Sequence, residues 1–96
     1  MLRVKGMSMK NAGILEDDLL LVKKYSETSN LKKNGQIIVA RVDDEVTVKR
    51  FHQRGSKVYL HPENPEFEII SIDLKKQFFS IEGFGIGIIR NPKLSL

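Results

Sequence analysis

Two side chains in this sequence have the chemistry of a hydrolase. Ser8 stands in the run Gly6-Met7-Ser8-Met9, and Lys49 ends the otherwise apolar run Val46-Thr47-Val48-Lys49. A lysine is a useful base only when its neutral amine is populated, so its pKa must fall from ~10.4 by roughly 3 units or more. Burial among apolar groups supplies such a fall, because desolvation penalises the charged form. A serine next to such an amine is activated by the adjacent-base logic of acyl transfer, with lysine in place of histidine. Each residue also has an ordinary reading. A serine between methionines is commonly a turn residue, and a lysine closing an apolar strand commonly lays its stem over the core with its charge in water.

The elements that must position this pair are short and frequently interrupted. Leu19-Leu20-Leu21-Val22 reads as a buried strand after the turn-like Glu16-Asp17-Asp18, and Ile37 to Val42 as a second, opened by Asn34-Gly35. Asp43-Asp44 makes a tight reversal into a strand from Glu45 to Phe51. Strand side chains have a period of two, so Val46 and Val48 take one face and Glu45, Thr47 and Lys49 the other. Arg54-Gly55 turns the chain into Val58-Tyr59-Leu60, and Glu68 to Ile72, Phe78 to Glu82 and Gly85 to Ile89 supply three further strands. The best helical candidate is one turn near Met9 to Ala12. Tyr25 to Lys33, rich in polar residues, reads as an exposed hairpin loop. This pattern predicts a mainly β domain of coiled, short antiparallel sheets forming a partly open barrel.

Composition narrows the classes of function. The 96 residues, 41% hydrophobic and 29% charged, suffice for a single domain spanning 1–96. There is no cysteine, and His52 and His61 are the only histidines, which excludes thiolate and histidine-rich metal centres. Neither histidine is needed as a base where lysine serves, and both are expected to be exposed or capping residues. No metal or cofactor is expected. The net charge of +4 is spread along the chain rather than gathered into a stripe, as on an ordinary solvated surface. No stretch approaches the ~20 apolar residues that span a bilayer, and no signal-length apolar run opens the chain, so a cytoplasmic protein without membrane contact is expected. Gly83-Phe84-Gly85-Ile86-Gly87 lacks the following helix and Lys-Ser/Thr tail of a phosphate loop; its alternating small residues suit a strand that another backbone approaches closely. Met7 and Met9 suit either a substrate pocket or a gap in the core.

Six blocks carry a resemblance that covers Val4 to Arg90. Val4-Lys5-Gly6-Met7-Ser8-Met9, Ile14-Leu15-Glu16-Asp17-Asp18-Leu19-Leu20, Asn34-Gly35-Gln36-Ile37-Ile38-Val39-Ala40-Arg41, Asp44-Glu45-Val46-Thr47-Val48-Lys49-Arg50, Leu60-His61-Pro62-Glu63-Asn64 and Ile81-Glu82-Gly83 occur in this order. Together they resemble the C-terminal peptidase and dimerisation domain of the LexA repressor family. That group includes the UmuD polymerase accessory protein and phage CI-like repressors, with type I signal peptidases as distant relatives. Its members are self-cleaving serine peptidases with a Ser-Lys dyad.

The resemblance implies that Ser8 is the nucleophile and Lys49 the general base, that the backbone N–H groups of Met7 and Ser8 face the developing oxyanion, and that Thr47 holds the amine toward Ser8. It implies a substrate loop of the same polypeptide entering the cleft as an extended strand, cleavage favoured by a RecA filament on single-stranded DNA, and dependence on both loop position and pH. It also implies a homodimer paired through strands near the apolar C-terminal end, and DNA contact only through an N-terminal domain. That domain and the cleavage loop are expected to be absent from this chain, since the residues ahead of Ser8 reach at most ~25 Å. The resemblance implies a scissile Ala-Gly or Cys-Gly bond well upstream of the serine; Ala12-Gly13, the sole Ala-Gly pair here, follows Ser8 too closely to double back into its own cleft. Asp17 replaces a glycine common in the family, and aspartate tolerates the left-handed backbone such a turn requires. Glu45 would favour the charged amine and is therefore placed outside the site. The function implied is the C-terminal domain of a repressor of the DNA-damage (SOS) response. The alternatives are a UmuD′-like accessory subunit of a translesion DNA polymerase, or a non-catalytic dimerisation module.

Overall fold

Seven antiparallel strands form one curled sheet, an open half-barrel. The computed structural model describes residues 1–26 and 33–90. In chain order the strands are β1 (Leu2–Arg3), β2 (Leu19–Lys24), β3 (Ile37–Val42), β4 (Glu45–Arg54), β5 (Lys57–His61), β6 (Ile70–Asp73) and β7 (Phe79–Ile89). Their order across the sheet is β1-β2-β7-β3-β4-β5-β6. The only helical element among the described residues is a 3₁₀ turn at Lys10–Ala12, within the single turn expected there. Of the expected loop from Tyr25 to Lys33, residues 27–32 lie outside the described residues.

The boundaries of β3 are those the sequence predicts, and Asp43 makes the reversal into β4 with φ 53°. Asp17 adopts φ 73°, the left-handed conformation expected of it. Two expectations are corrected. The expected strand from Glu68 to Ile72 begins later, at Ile70, and the two strands expected on either side of Phe84 are one continuous β7. The close approach of another backbone expected at these glycines is found. A Cβ at Gly83 would lie 2.4 Å from Val22 Cγ1 and 2.6 Å from the Lys23 carbonyl oxygen. The register also slips against β2 between Leu21 and Val22 and against β3 between Val39 and Ala40. Such bulges bend and twist a strand, which lets β7 run through the centre of a curled sheet.

Central placement also changes the expected apolar edge. From Phe79 to Ile81 β7 pairs with β3, at Gly83 and Phe84 with both β3 and β2, and from Gly85 to Ile89 only with β2 among the described residues. The exposed apolar surface lies in this second half, where Ile86 is 65% exposed.

Two apolar clusters hold the sheet. One gathers Ile38, Phe51, Val58, Leu60, Ile72 and Phe84, and the other packs Met9, Ile14 and Leu20 against Val39 and Val48. Successive residues Ile38 and Val39 thus feed opposite clusters, as a period of two requires. Full burial of side chains of this size is worth about 1.5–3 kcal/mol each. The second cluster matters for function because Met9, 1% exposed, anchors the segment that carries Ser8.

Candidate active site

The segment from Gly6 to Asp18 is sewn down on every side. Gly6 turns the chain with φ 77°, and Gly13 ends the 3₁₀ turn in a left-handed conformation. The N–H groups of both Ala12 and Ile14 donate to the Met9 carbonyl, while Val4 and the Asp17-Asp18 pair exchange backbone bonds of 2.8 and 2.9 Å. Asp18 is buried and accepts from the Leu15 N–H; its two oxygens each accept from Arg90 at 2.7 Å. The guanidinium hydrogen bond, followed by weaker contributions from the Leu15 N–H and the guanidinium charge, holds this carboxyl below its ordinary pKa against the opposing effect of burial. The end of β7 thereby ties down the turn that follows Ser8.

Lys49 reaches the same place from β4. It pairs in register with Ile38 of β3, and its side chain is only 7% exposed. Its Nζ lies 3.0 Å from Ser8 Oγ and 2.6 Å from Thr47 Oγ1. Thr47 is two residues from Lys49, so the strand period that puts both on one face is what lets the hydroxyl hold the amine. Desolvation by burial pushes the Lys49 pKa down from 10.5. Among the described residues no carboxylate lies within ion-pair distance of the amine to oppose that effect. Glu45 is exposed at the start of β4, away from these contacts.

These groups open onto a cleft of about 280 Å³ lined by Leu2 to Lys5, Ser8 and Met9, and Val46 to Lys49. Met9 therefore fills the core and lines the cleft at once. β5 pairs with β4 only from Arg50 onward, so the stretch Glu45 to Lys49 keeps one edge without a strand partner among the described residues. Unpaired strand edges beside a cleft accept an extended peptide as an added strand. Among the described residues, neither the Met7 nor the Ser8 N–H donates to a backbone acceptor, which leaves both available.

Contacts from the segment after β5 were not anticipated. The Glu63 N–H donates to the Ser8 carbonyl at 2.8 Å, and Asn64 Nδ2 to the Met7 carbonyl at 2.9 Å. Arg50 steadies this segment by donating to Glu63 Oε1 at 2.6 Å and to the Gly35 carbonyl. His52 and His61, expected to be exposed or capping, are half-buried and meet edge to face across β4 and β5 with ring centroids 4.4 Å apart. Burial, then His61 and Arg50, lower the His52 pKa. Neither ring is hydrogen-bonded to Ser8 or Lys49. Among the described residues no group of three or more His, Cys, Asp or Glu side chains is arranged to hold a metal ion.

A hydroxyl beside a buried amine with no carboxylate near it, at the floor of a peptide-sized cleft in a curled β-sheet, is the layout of a serine peptidase that uses lysine as its base. Comparison with known proteins gives the same class. The S24-like peptidase family matches residues 1–86, and the chain belongs to that family. It aligns with the C-terminal part of LexA repressors. It is 56% identical over 91 residues to the LexA repressor of Proteus mirabilis, covering 95% of this chain and 43% of that protein. It is also 59% identical over 95 residues to that of Photorhabdus laumondii, covering 99% of this chain and 45% of that protein. The LexA repressor of Shewanella halifaxensis is 57% identical over 91 residues, with 95% and 42% covered. The chain thus spans under half the length of these curated relatives. No helix among the described residues is long and apolar enough to cross a membrane.

Proposed function

We propose that Ser8 and Lys49 form the catalytic dyad of a self-cleaving peptidase that also dimerises a DNA-damage repressor. The observation that carries the reading is the 3.0 Å approach of Ser8 Oγ to an amine whose charged form is disfavoured by burial. In the reactive state the neutral Lys49 accepts the Ser8 proton as Oγ bonds to the scissile carbonyl carbon. The carbonyl electron pair moves onto oxygen, where the N–H groups of Met7 and Ser8 receive it. Backbone donors need no reorganisation at that moment, and each is worth about 2.7–4 kcal/mol. As the carbonyl reforms, the C–N bond breaks and the Lys49 ammonium gives its proton to the leaving amine. Water then attacks the acyl-enzyme, losing its proton to Lys49, and Ser8 is regenerated. Thr47 keeps the amine aimed throughout.

The substrate proposed is a segment of the whole protein carrying an Ala-Gly bond, entering the cleft as an extended strand against the free edge of β4. A RecA-DNA filament acts as trigger, and DNA is bound by another domain. The exposed second half of β7 favours a homodimer, and the protein acts in the cytoplasm. The test supplies an Ala-Gly peptide in trans at alkaline pH. Cleavage is expected from this chain and lost in Ser8→Ala and in Lys49→Ala. Cleavage that persists in both variants overturns the mechanism.

A further inference from the structure

The peptide group that presents the Ser8 N–H is oriented by a side chain with no assigned role. Met7 O accepts hydrogen bonds from Asn64 Nδ2 at 2.9 Å and from the Lys10 N–H at 3.2 Å. In a trans peptide the C=O of one residue and the N–H of the next point in opposite directions. Fixing the Met7 carbonyl therefore fixes the direction of the Ser8 N–H, away from Asn64. The next peptide is fixed in the same way, because the Ser8 carbonyl accepts from the Glu63 N–H at 2.8 Å.

Asn64 is built to hold that position. It is 6% exposed, and its amide cannot be reversed without loss, because Oδ1 already accepts the Glu66 N–H at 3.0 Å. With the oxygen committed to that turn, the nitrogen faces Met7. The backbone on either side is fixed from two directions. Asn11 donates to the Glu63 carbonyl, and Arg50, on the same strand as Lys49, holds the Glu63 carboxylate. The strap after β5 thus connects the strand of the amine to the peptide of the hydroxyl.

We infer that Asn64 is a positioning residue for transition-state stabilisation, aiming the Ser8 N–H at the oxyanion by holding the Met7 carbonyl. The inference rests on the dyad reading above and adds to it the origin of the oxyanion site's preorganisation. Asn64 is not among the residues that line the cleft, so its truncation is expected to leave ground-state binding and the Lys49 proton unchanged. It acts only on the step in which negative charge develops.

The experiment uses this chain with the Ala-Gly peptide in trans and compares wild type with Asn64→Ala and Asn64→Asp. The aspartate variant keeps the acceptor for Glu66 and exchanges the donor for a carboxylate that repels Met7 O, so it preserves the turn while losing the bond in question. Removing an oxyanion donor outright costs roughly 10²–10³ in kcat, and misaiming one should cost roughly 10- to 100-fold. Both variants are expected to show that fall in kcat with KM unchanged, and the midpoint of the pH–rate profile is expected to stay in place in Asn64→Ala, while the added carboxylate of Asn64→Asp can only move it up. Affinity for a peptide boronic acid, which forms a tetrahedral anion on the serine, should fall in parallel. Full kcat in Asn64→Asp overturns the inference. So does a concerted change in kcat, KM, pH midpoint and thermal midpoint in both variants, which marks a merely structural residue. Absence of Ser8-dependent cleavage in wild type overturns the dyad reading itself, and this inference with it.

Discussion

Replacing Lys49 by methionine tests whether this amine is held where its charge is unwelcome. The side chain is buried and its pKa lies below 10.5 because of desolvation. The folded protein therefore releases this proton at a lower pH than the unfolded chain does. Between the folded pKa and 10.5 the unfolded state binds more protons, so stability rises with pH across that window. Below the folded pKa both states carry the proton, and the whole cost of the buried ammonium is present. One proton is involved, so the slope cannot exceed about 1.4 kcal/mol per pH unit. Methionine has nearly the same length and no charge, so Lys49→Met should lack this rise and be the more stable protein at neutral pH while inert as a catalyst. Urea unfolding of both proteins across neutral and alkaline pH gives the difference curve, which isolates Lys49 from every titration the two share. The kcat/KM of wild type should climb about tenfold per pH unit and level off where that difference curve begins to bend, since both report the proton on the free protein's amine. A difference curve flat with pH, or a rate plateau more than about one pH unit from the bend, refutes the argument.

Three further substitutions probe the supports. Thr47→Val keeps the branched shape but removes the oxygen 2.6 Å from Nζ. The charged amine loses an acceptor, so the midpoint of the kcat/KM profile should move down while the plateau drops roughly tenfold; an unchanged plateau denies Thr47 its aiming role. Gly83→Ala drives a methyl to 2.4 Å from Val22 Cγ1 and 2.6 Å from the Lys23 carbonyl oxygen. It should cost about 1–3 kcal/mol in urea unfolding, and a neutral result would mean β2 and β7 separate easily. Arg90→Met strands the buried Asp18 carboxylate and should lower the thermal midpoint at neutral pH. Since the folded pKa of Asp18 lies below 3.8, its stabilisation is present above that value and disappears as pH falls through the depressed folded pKa. The gap between the two proteins should therefore close in acid; a gap that persists there argues that Arg90 acts by packing alone.

Strand faces were legible because they follow from local rules. A period of two suffices to put Thr47 beside Lys49, and β3 begins and ends where the apolar run does. The same rule, applied across the turn at Gly55, brings His52 within two register positions of His61, so that ring contact was also within reach of the sequence. The close approach at the glycines of β7 was legible, but the strand break expected there was not found, because one residue type answers two demands. Glycine ends strands at turns, and it also admits a neighbouring backbone in mid-strand, and only the register against β2 tells these apart. The site was legible in its chemistry but not in its assembly. Ser8 and Lys49 lie 3.0 Å apart in a sheet whose long-range pairings, β2 with β7 and β7 with β3, no local pattern encodes, which is why resemblance to a family, rather than spacing, joined them. Asn64 shows the same limit more sharply. After Pro62-Glu63 an asparagine reads as a turn residue, and one half of its amide does serve the turn through Glu66. The other half reaches a carbonyl next to Ser8, distant in sequence, so a single side chain closes a local turn and orients a distant peptide with its two different atoms.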